Sequence, residues 1–176
     1  MRGRLVLTSH EQVDVVDSRD QVVGASTVGE CLEQGLLHRA VAVVIARTDG
    51  RVVLQQRSKK DAWHPGMWTL SSTGHVKKGE PYKDAAEREL GEELGIGARL
   101  RLVKKYLLPP MKNRGSTEHE WVALFSGTTD SAVRIDPVEL EGVKEFSLPQ
   151  LRKMMDGDTL TPDVVILLTE FLRAGR

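Results

Sequence analysis

Residues 74–96 read GHVKKGEPYKDAAERELGEELGI. The proline suits the first position of a helix and the last glycine suits the left-handed position after one, which predicts a helix over Pro81–Leu94. On this helix, Glu89, Glu92 and Glu93 fall within one arc of roughly 100°. Carboxylates at these spacings repel one another, and the dipole disfavours anions in the last turn. The arrangement favours a hard divalent cation such as Mg²⁺ bound against that face.

The alternative explanation is a solvated, charge-laced surface helix, and its alanine and leucine spacing supplies a core face in either case. The glycine and glutamate at fixed offsets before the helix argue against it. With them, the stretch resembles the Nudix box, G-x5-E-x7-R-E-U-x-E-E-x-G-U, where U is an aliphatic residue. It matches at all the defined positions: Gly74, Glu80, Arg88, Glu89, Leu90, Glu92, Glu93, Gly95 and Ile96.

The resemblance implies an α/β fold (α+β by some schemes), the Nudix α/β/α sandwich with a mixed β-sheet. It also implies hydrolysis of a diphosphate linked to another moiety, with Mg²⁺ or Mn²⁺ as the cofactor. The expected metal ligands are Gly74, through its carbonyl, Glu89, Glu92 and Glu93. The expected catalytic residues are Glu92, Glu93, Arg88 and Glu120. Within this set, Arg88 orients a neighbouring carboxylate, and Glu92 or Glu120 takes the proton of the attacking water.

The resemblance extends over roughly residues 13–172. Segments 37–40 (LHRA), 56–58 (QRS) and 65–68 (PGMW) are similar to the isopentenyl-diphosphate isomerase branch and to the hydrolases that share its layout. Isomerases of this branch have a second metal site, and four of its ligand positions match His38, His75, Glu118 and Glu120. Cys31 stands about where the branch has another histidine. If the four residues converge, a transition metal is expected there; otherwise the histidines are structural.

Three departures favour a hydrolase over an isomerase. Thr73 stands where the isomerases have a cysteine that transfers a proton, and a hydroxyl is a poor proton donor near neutral pH. Asp163 stands where an aromatic side chain would face a carbocation. Isomerases also typically have a degraded E-E end of the box, whereas this chain keeps Glu89, Glu92 and Glu93. Isopentenyl-diphosphate delta-isomerase is therefore the alternative function, and a binding module without turnover is a third hypothesis.

Two cations outside the box are candidates for binding the substrate. Arg57 and Lys60 follow a predicted strand and are suited to diphosphate oxygens, although exposed cations near a turn are common. The moiety attached to the diphosphate is not identified by the sequence. The loops expected to select it are residues 61–67 and 109–120.

Composition excludes several classes of protein. The chain of 176 residues carries 25 Lys and Arg against 25 Asp and Glu, so it lacks the basic field that a nucleic-acid polymer requires. Its apolar runs are shorter than the roughly 18 residues of a membrane span. Cys31 is the only cysteine, which suits a reducing cytoplasm. We therefore expect a single cytoplasmic domain over residues 1–176 that acts on a small-molecule diphosphate, with a homodimer left open.

Local patterns predict the remaining elements. An N-terminal hairpin and a short helix within residues 1–37 are expected to pack on the core, with Thr27 and Glu30 forming a capping box and Gly35 ending the helix. Two later helices are expected over residues 148–155 and 162–173. The expected strands cover residues 40–46, 51–55, 67–70, 100–107 and 121–126, with a long loop over residues 109–117.

Overall fold

The computed structural model describes residues 10–60, 64–113, 115–135 and 140–175. The helices are α1 (Val28–Gln34), α2 (Tyr82–Leu94), α3 (Leu148–Met155) and α4 (Pro162–Arg173). The strands are β1 (Gln12–Val16), β2 (Val22–Thr27), β3 (His38–Ala46), β4 (Val52–Arg57), β5 (Trp68–Thr69), β6 (Ser72–His75), β7 (Arg101–Leu107), β8 (Met111–Asn113), β9 (Ser116–Glu118), β10 (Glu120–Thr128) and β11 (Leu140–Phe146).

Strand β3 is the centre of a mixed sheet. It pairs in parallel with β10 and antiparallel with β1, β4 and β6. Strands β2, β7 and β11 extend the sheet from β1, β10 and β4, while β8 and β9 form a separate hairpin. Because side chains alternate along a strand, β3 supplies two apolar faces at once.

The two faces of β3 are covered by different helices. Residues 40, 42 and 44 belong to an apolar cluster that includes Leu151 of α3 and Leu167 of α4. Residues 41, 43 and 45 belong to a second cluster, which includes Leu90 and Leu94 of α2. The observed architecture is thus helix, mixed sheet, helix, as the sequence predicts.

Helix α2 follows the prediction closely, with one correction at its start. Pro81 is the residue before the helix, with an extended ψ of 143°, and does not occupy the first helical position. Gly95 ends the helix in the left-handed region at φ 62°, as expected. The buried face is formed by small and aliphatic side chains: Ala85, Ala86, Leu90 and Leu94.

Several other predictions are confirmed and three need correction. The capping box of Thr27 and Glu30 and the left-handed Gly35 are both present around α1. Strands β6 and β11 were not predicted from the sequence. The long loop predicted over residues 109–117 contains most of the β8–β9 hairpin instead.

The N-terminal elements contact the sheet close to its centre. Val15 of β1 pairs with His38 of β3. Val13, Val28, Cys31 and Leu32 form a small buried cluster under the hairpin. Among the described residues, no helix combines the length and the apolar character needed to cross a membrane.

Candidate functional site

A cavity of about 540 Å³ opens between α2 and the first turn of α4. It collects most of the residues that the sequence singles out. Those that line it are Arg57, Lys60, Gly74, His75, Glu89, Glu93, Glu118 and Glu120. The lining does not include Glu92, Arg88 or His38. The catalytic set predicted from the sequence is therefore divided between the cavity wall and positions next to it.

Arg88 links three parts of the site. Its Nε and Nη2 each donate to one oxygen of the Glu80 carboxylate at 2.9 Å, a bidentate pair. Its Nη1 donates to Glu89 at 2.7 Å and to Glu92 at 3.2 Å, and Nη2 also donates to the carbonyl of His75 at 3.1 Å. One guanidinium thus fixes the turn before α2, the carboxylates of α2 and strand β6.

Gly74 permits the close approach that the sequence predicted, and the group that approaches it is the Glu89 carboxylate. A β-carbon at this position would overlap the Glu89 carboxylate, which lies directly on the glycine. Only glycine therefore lets the α2 carboxylate reach the strand. The role of the Gly74 carbonyl as a metal ligand stays a prediction.

Glu93 is held at the cavity wall by two donors. Its Oε2 accepts hydrogen bonds from Nε2 of Gln55 and from the backbone N–H of Thr73, both at 3.1 Å. Burial raises the pKa of Glu93 to about 7 in spite of these bonds. Burial also raises the pKa of Glu89, against the influence of Arg88.

Glu92 differs from its two neighbours on α2. Its side chain is 57% exposed, and Arg88 pairs with it from the same helix at the i,i+4 spacing. The three carboxylates predicted to share one face therefore lie at different depths. Glu93 and Glu89 face the cavity, whereas Glu92 lies at its solvent edge.

His38, His75 and Glu120 come together on three neighbouring strands. Their ligand atoms lie within 4.8 Å of one another. Both Nε2 atoms are 3.5 Å from Oε1 of Glu120. The strand register explains the convergence. Glu120, the first residue of β10, pairs with His38, the first residue of β3. His75 of β6 pairs with Ala40, two residues further along β3.

The tautomer of His38 suits a metal ligand. Its Nδ1 lies 2.9 Å from the carbonyl of Leu36 and must carry a proton to donate there, so Nε2, which faces Glu120, is the nitrogen that would bind a metal once it loses its own proton. Within the described part of the chain, this buried Nε2 has no hydrogen-bond partner. A carbonyl that orients the ring from behind is the usual support of a metal-binding histidine.

Electrostatics in the cluster favour an ionised Glu120. Burial alone would raise the pKa of this carboxyl, but the two histidines outweigh burial and hold the pKa below its usual range. Burial would also favour the neutral form of His75, and Glu120 instead raises the pKa of that imidazole. The donor set of two imidazoles and one carboxylate fits a transition metal.

The fourth predicted ligand, Glu118, and the cysteine that stands where the branch has another histidine both lie outside this cluster. Glu118 lines the cavity but is not one of the three residues whose ligand atoms converge. Burial, with repulsion from Glu120 and Asp163, raises its pKa to about 8. Cys31 is buried under the N-terminal hairpin, and burial raises its pKa to about 11.

The predicted substrate cations both reach the cavity, where Arg57 and Lys60 form part of the lining. Of the loop predicted over residues 61–67, the first three residues lie outside the described ones. His64 from its second half lines the cavity, with a left-handed φ of 49°. Sequence reasoning missed Gln55, although a polar side chain directly after the apolar residues 52–54 of one strand was a usable signal.

Comparisons with known proteins identify the family of this domain. The family model of the NUDIX domain matches residues 36–164. A Pseudomonas aeruginosa protein named as an uncharacterized Nudix hydrolase is 34% identical over 142 residues, which cover 80% of each chain. The isopentenyl-diphosphate delta-isomerase of Nocardia farcinica is 37% identical over 134 residues, 75% of this chain and 77% of the isomerase.

Solved structures show the same fold. The crystal structure of DR0079 from Deinococcus radiodurans superimposes with a TM-score of 0.76 at 22% identity, covering 94% of this chain and all of that one. That of a MutT NUDIX hydrolase from Burkholderia pseudomallei has a TM-score of 0.63 at 28% identity, covering 76% and 97%. The curated relatives are divided between hydrolases and isomerases at similar identity, and what unites them is the domain itself: this chain belongs to the Nudix family.

Proposed function

We propose that the protein is a Nudix hydrolase that uses Mg²⁺ or Mn²⁺ to cleave a diphosphate linked to another moiety. The observation that carries this proposal is the complete carboxylate set of α2, from which Glu89 and Glu93 line the cavity. A helix end dense in acidic groups is unfavourable for the chain alone, and bound cations remove the repulsion.

In the reaction, one water molecule attacks a phosphorus atom and the bond from that phosphorus to the bridging oxygen breaks. The bridging oxygen leaves with the second phosphate, and the proton of the water passes to a base. A bound Mg²⁺ or Mn²⁺ supplies the Lewis acidity that neutralises the diphosphate and acidifies the attacking water.

The side chains at the cavity have different roles in this proposed reaction. The sequence suggested Glu92 or Glu120 as the proton acceptor, but Glu92 lies at the solvent edge and Glu120 is paired with two histidines. Glu93, held by Gln55 and Thr73 at the cavity wall, is better placed to accept the proton of the water. Arg88 is a positioning residue, since its donors are used on Glu80 and on the helical carboxylates. Lys60 and Arg57 are suited to bind the phosphate oxygens.

The second site is proposed to bind a transition metal through His38, His75 and Glu120. The buried Nε2 of His38 supports this assignment, because a bound cation would give this atom the partner that it lacks among the described residues. The same cluster favours the alternative function, an isomerase acting on isopentenyl diphosphate. Thr73 argues against it, because it lines the cavity with a hydroxyl where the isomerase needs a thiol.

The two functions are separated by one pair of assays on the purified protein. With Mg²⁺, a panel of nucleoside diphosphates, sugar diphosphates and prenyl diphosphates is expected to yield phosphate or a phosphomonoester, and EDTA is expected to abolish the release. With isopentenyl diphosphate in deuterated water, no dimethylallyl diphosphate and no deuterium incorporation are expected at a catalytic rate. Isomerisation at such a rate refutes the hydrolase, and binding of diphosphates without any turnover supports a binding module instead.

A further inference from the structure

The turn between β6 and α2 is held by strand β1, which lies outside the matched NUDIX segment. The N–H of Lys78 donates to the carbonyl of Gln12 at 2.8 Å. The N–H of Gly79 donates to Oδ2 of Asp14 at 3.0 Å. Part of the Nudix box is therefore bound by residues that precede the segment 36–164 matched by the family model.

The turn itself sets the position of Glu80. The N–H of Glu80 donates to the carbonyl of Lys77 at 2.9 Å, and Gly79 has a φ of 74°, the left-handed value that favours glycine at the third position of a tight turn. The N–H of Lys77 donates in return to Oε2 of Glu80 at 3.0 Å. The same carboxylate accepts from Nε and Nη2 of Arg88, so the turn determines where Arg88 is held.

Asp14 is an unexpected residue for a strand that packs on the core. Its side chain is 11% exposed, and aspartate is rarely buried without a partner. Besides Gly79, its carboxylate faces Arg39, whose Nη1 lies 3.9 Å from Oδ2. An apolar side chain would pack the hairpin without the cost of desolvating a charge. The acceptor that Asp14 offers to Gly79 gives this charge a reason.

A second carboxylate of the same hairpin holds the other side of the turn. Oδ1 of Asp20 accepts from the hydroxyl of Tyr82, the first residue of α2, at 3.0 Å. It also accepts from Nε of Arg39 at 2.6 Å. Glu80 thus lies between two anchors, at Gly79 and at Tyr82, and both anchors come from the N-terminal hairpin.

We propose that Asp14 is a positioning residue for the Nudix box. By holding Gly79 it fixes Glu80 against Arg88, and Arg88 in turn holds Glu89 and Glu92. The N-terminal hairpin is then required for the geometry of the box, which the box motif alone does not indicate. The inference rests on the proposed function, because that function assigns the cation to the carboxylates of α2.

The direct readout is the side-chain N–H of Arg88, followed by NMR in the metal-free chain. In Asp14→Ala, the exchange of the Arg88 Nε–H with solvent is expected to be about tenfold faster, because Glu80 is no longer held in place to accept from it. Asp14→Asn keeps an oxygen that can accept from Gly79, so its exchange stays within about twofold of that in the unmodified protein. The Mg²⁺ concentration for half-maximal turnover likewise rises about tenfold in Asp14→Ala and is restored in Asp14→Asn.

Asp17→Ala is the matched control from the same hairpin. The Asp17 carboxylate accepts from the N–H groups of Arg19 and Gln21 in the turn between β1 and β2. Its loss is expected to lower the thermal unfolding temperature and to leave the Arg88 exchange and the Mg²⁺ response unchanged. Equal changes in Asp17→Ala and Asp14→Ala would show that the hairpin acts through stability alone, which overturns the proposal.

A further variant keeps the test independent of folding and of turnover. Asp14→Glu keeps the charge beside Arg39 but displaces the carboxylate by one methylene group, so it is expected to behave as Asp14→Ala does and replaces it if the alanine variant does not fold. If no diphosphate is hydrolysed, the Arg88 exchange decides alone. Faster exchange that Asp14→Asn restores then upholds the positioning role while the hydrolase fails. Unchanged exchange in Asp14→Ala and Asp14→Glu refutes the role of Asp14, whatever the activity.

Discussion

The carboxylates of α2 and the Glu120 carboxylate differ in the partners that neutralise their charge. The carboxylates of α2 are accompanied by a cation of the chain itself, since Arg88 reaches both Glu89 and Glu92. In the cluster of His38, His75 and Glu120, the ion pairs of Glu120 among the described residues are with the two imidazoles, and the buried Nε2 of His38 has no hydrogen-bond partner there.

This difference has a consequence for metal exchange. A face that already carries an arginine can exist without a cation and can exchange Mg²⁺ together with the substrate. A buried cluster with an orphan nitrogen is expected to keep its metal, because losing the ion leaves that atom desolvated. We infer that the α2 face holds an exchangeable cation and the strand cluster a resident one.

The largest effect is expected for Glu93→Gln. Losing the proton acceptor lowers Mg²⁺-dependent turnover by about 10³-fold. The thermal unfolding temperature stays equal or rises slightly, because one charge is removed from a self-repelling helix end. The matched control is Glu87→Gln, an exposed glutamate on the same helix that pairs with Lys83. Turnover that survives in Glu93→Gln, or in EDTA, contradicts the site on α2.

Gly74→Ala tests whether α2 and β6 must touch. The methyl group overlaps the Glu89 carboxylate, so the helix face shifts and turnover falls by about 10²-fold. The strain also lowers the free energy of unfolding by about 1–3 kcal/mol, measured by denaturant titration. Gly97→Ala is the control, since a β-carbon there meets nothing within 4 Å. Equal behaviour of the two variants would falsify the contact.

His75→Ala addresses the strand cluster. Removing one of three ligands is expected to weaken Zn²⁺ binding by about 100-fold or more, since even the loss of an outer-shell partner costs about 10–100-fold. Elemental analysis and titration with Zn²⁺ measure the change. His119→Ala serves as the control because His119 contacts the carbonyl of Gly35 and is not one of the converging residues. If both variants retain the same Zn²⁺ stoichiometry and affinity, the three residues are structural.

The smallest effect is expected for Thr161→Val, and the informative result is whether the free energy of unfolding rises or falls. The buried Thr161 hydroxyl, at the N-cap of α4, has no hydrogen-bond partner of good geometry among the described residues, so its replacement by a methyl group is expected to raise the free energy of unfolding by about 0.5–1 kcal/mol. In Thr169→Val on the same helix, the lost hydroxyl donates to the carbonyl of Val165 at 2.7 Å, so no gain in stability is expected. A destabilised Thr161→Val would show that this hydroxyl already has a partner in the folded chain.

The sequence predicts the α2 face well because its information is local. The spacing of Glu89, Glu92 and Glu93 follows from helical geometry alone. The spacing does not show how deeply each carboxylate is buried. Glu93 lies at the cavity wall because it accepts hydrogen bonds from Gln55 of β4 and Thr73 of β6. That is why three carboxylates predicted to act alike differ in exposure.

Non-local pairing explains what the sequence missed. Residues 72–75 have little intrinsic preference for a strand, and they form β6 because β3 offers them a partner. The convergence of His38 and Glu120 likewise requires β10 to lie parallel to β3, which no local pattern specifies. Only resemblance to a known family indicated that these residues meet. Glu118 matches a ligand position of the family in sequence, but its carboxylate is not part of the converging cluster.

The parallel pairing of β3 with β10 also bears on how the chain folds. His38 and Glu120 are separated by nearly half of the sequence, and contacts of such long range form late because the intervening loop must first be closed. The unfolded chain therefore has no preformed high-affinity cluster, and any intermediate that lacks this strand pair lacks it too. Retention of a transition metal would accordingly report that this strand pair is formed, which makes metal release a probe of the opening of the central sheet.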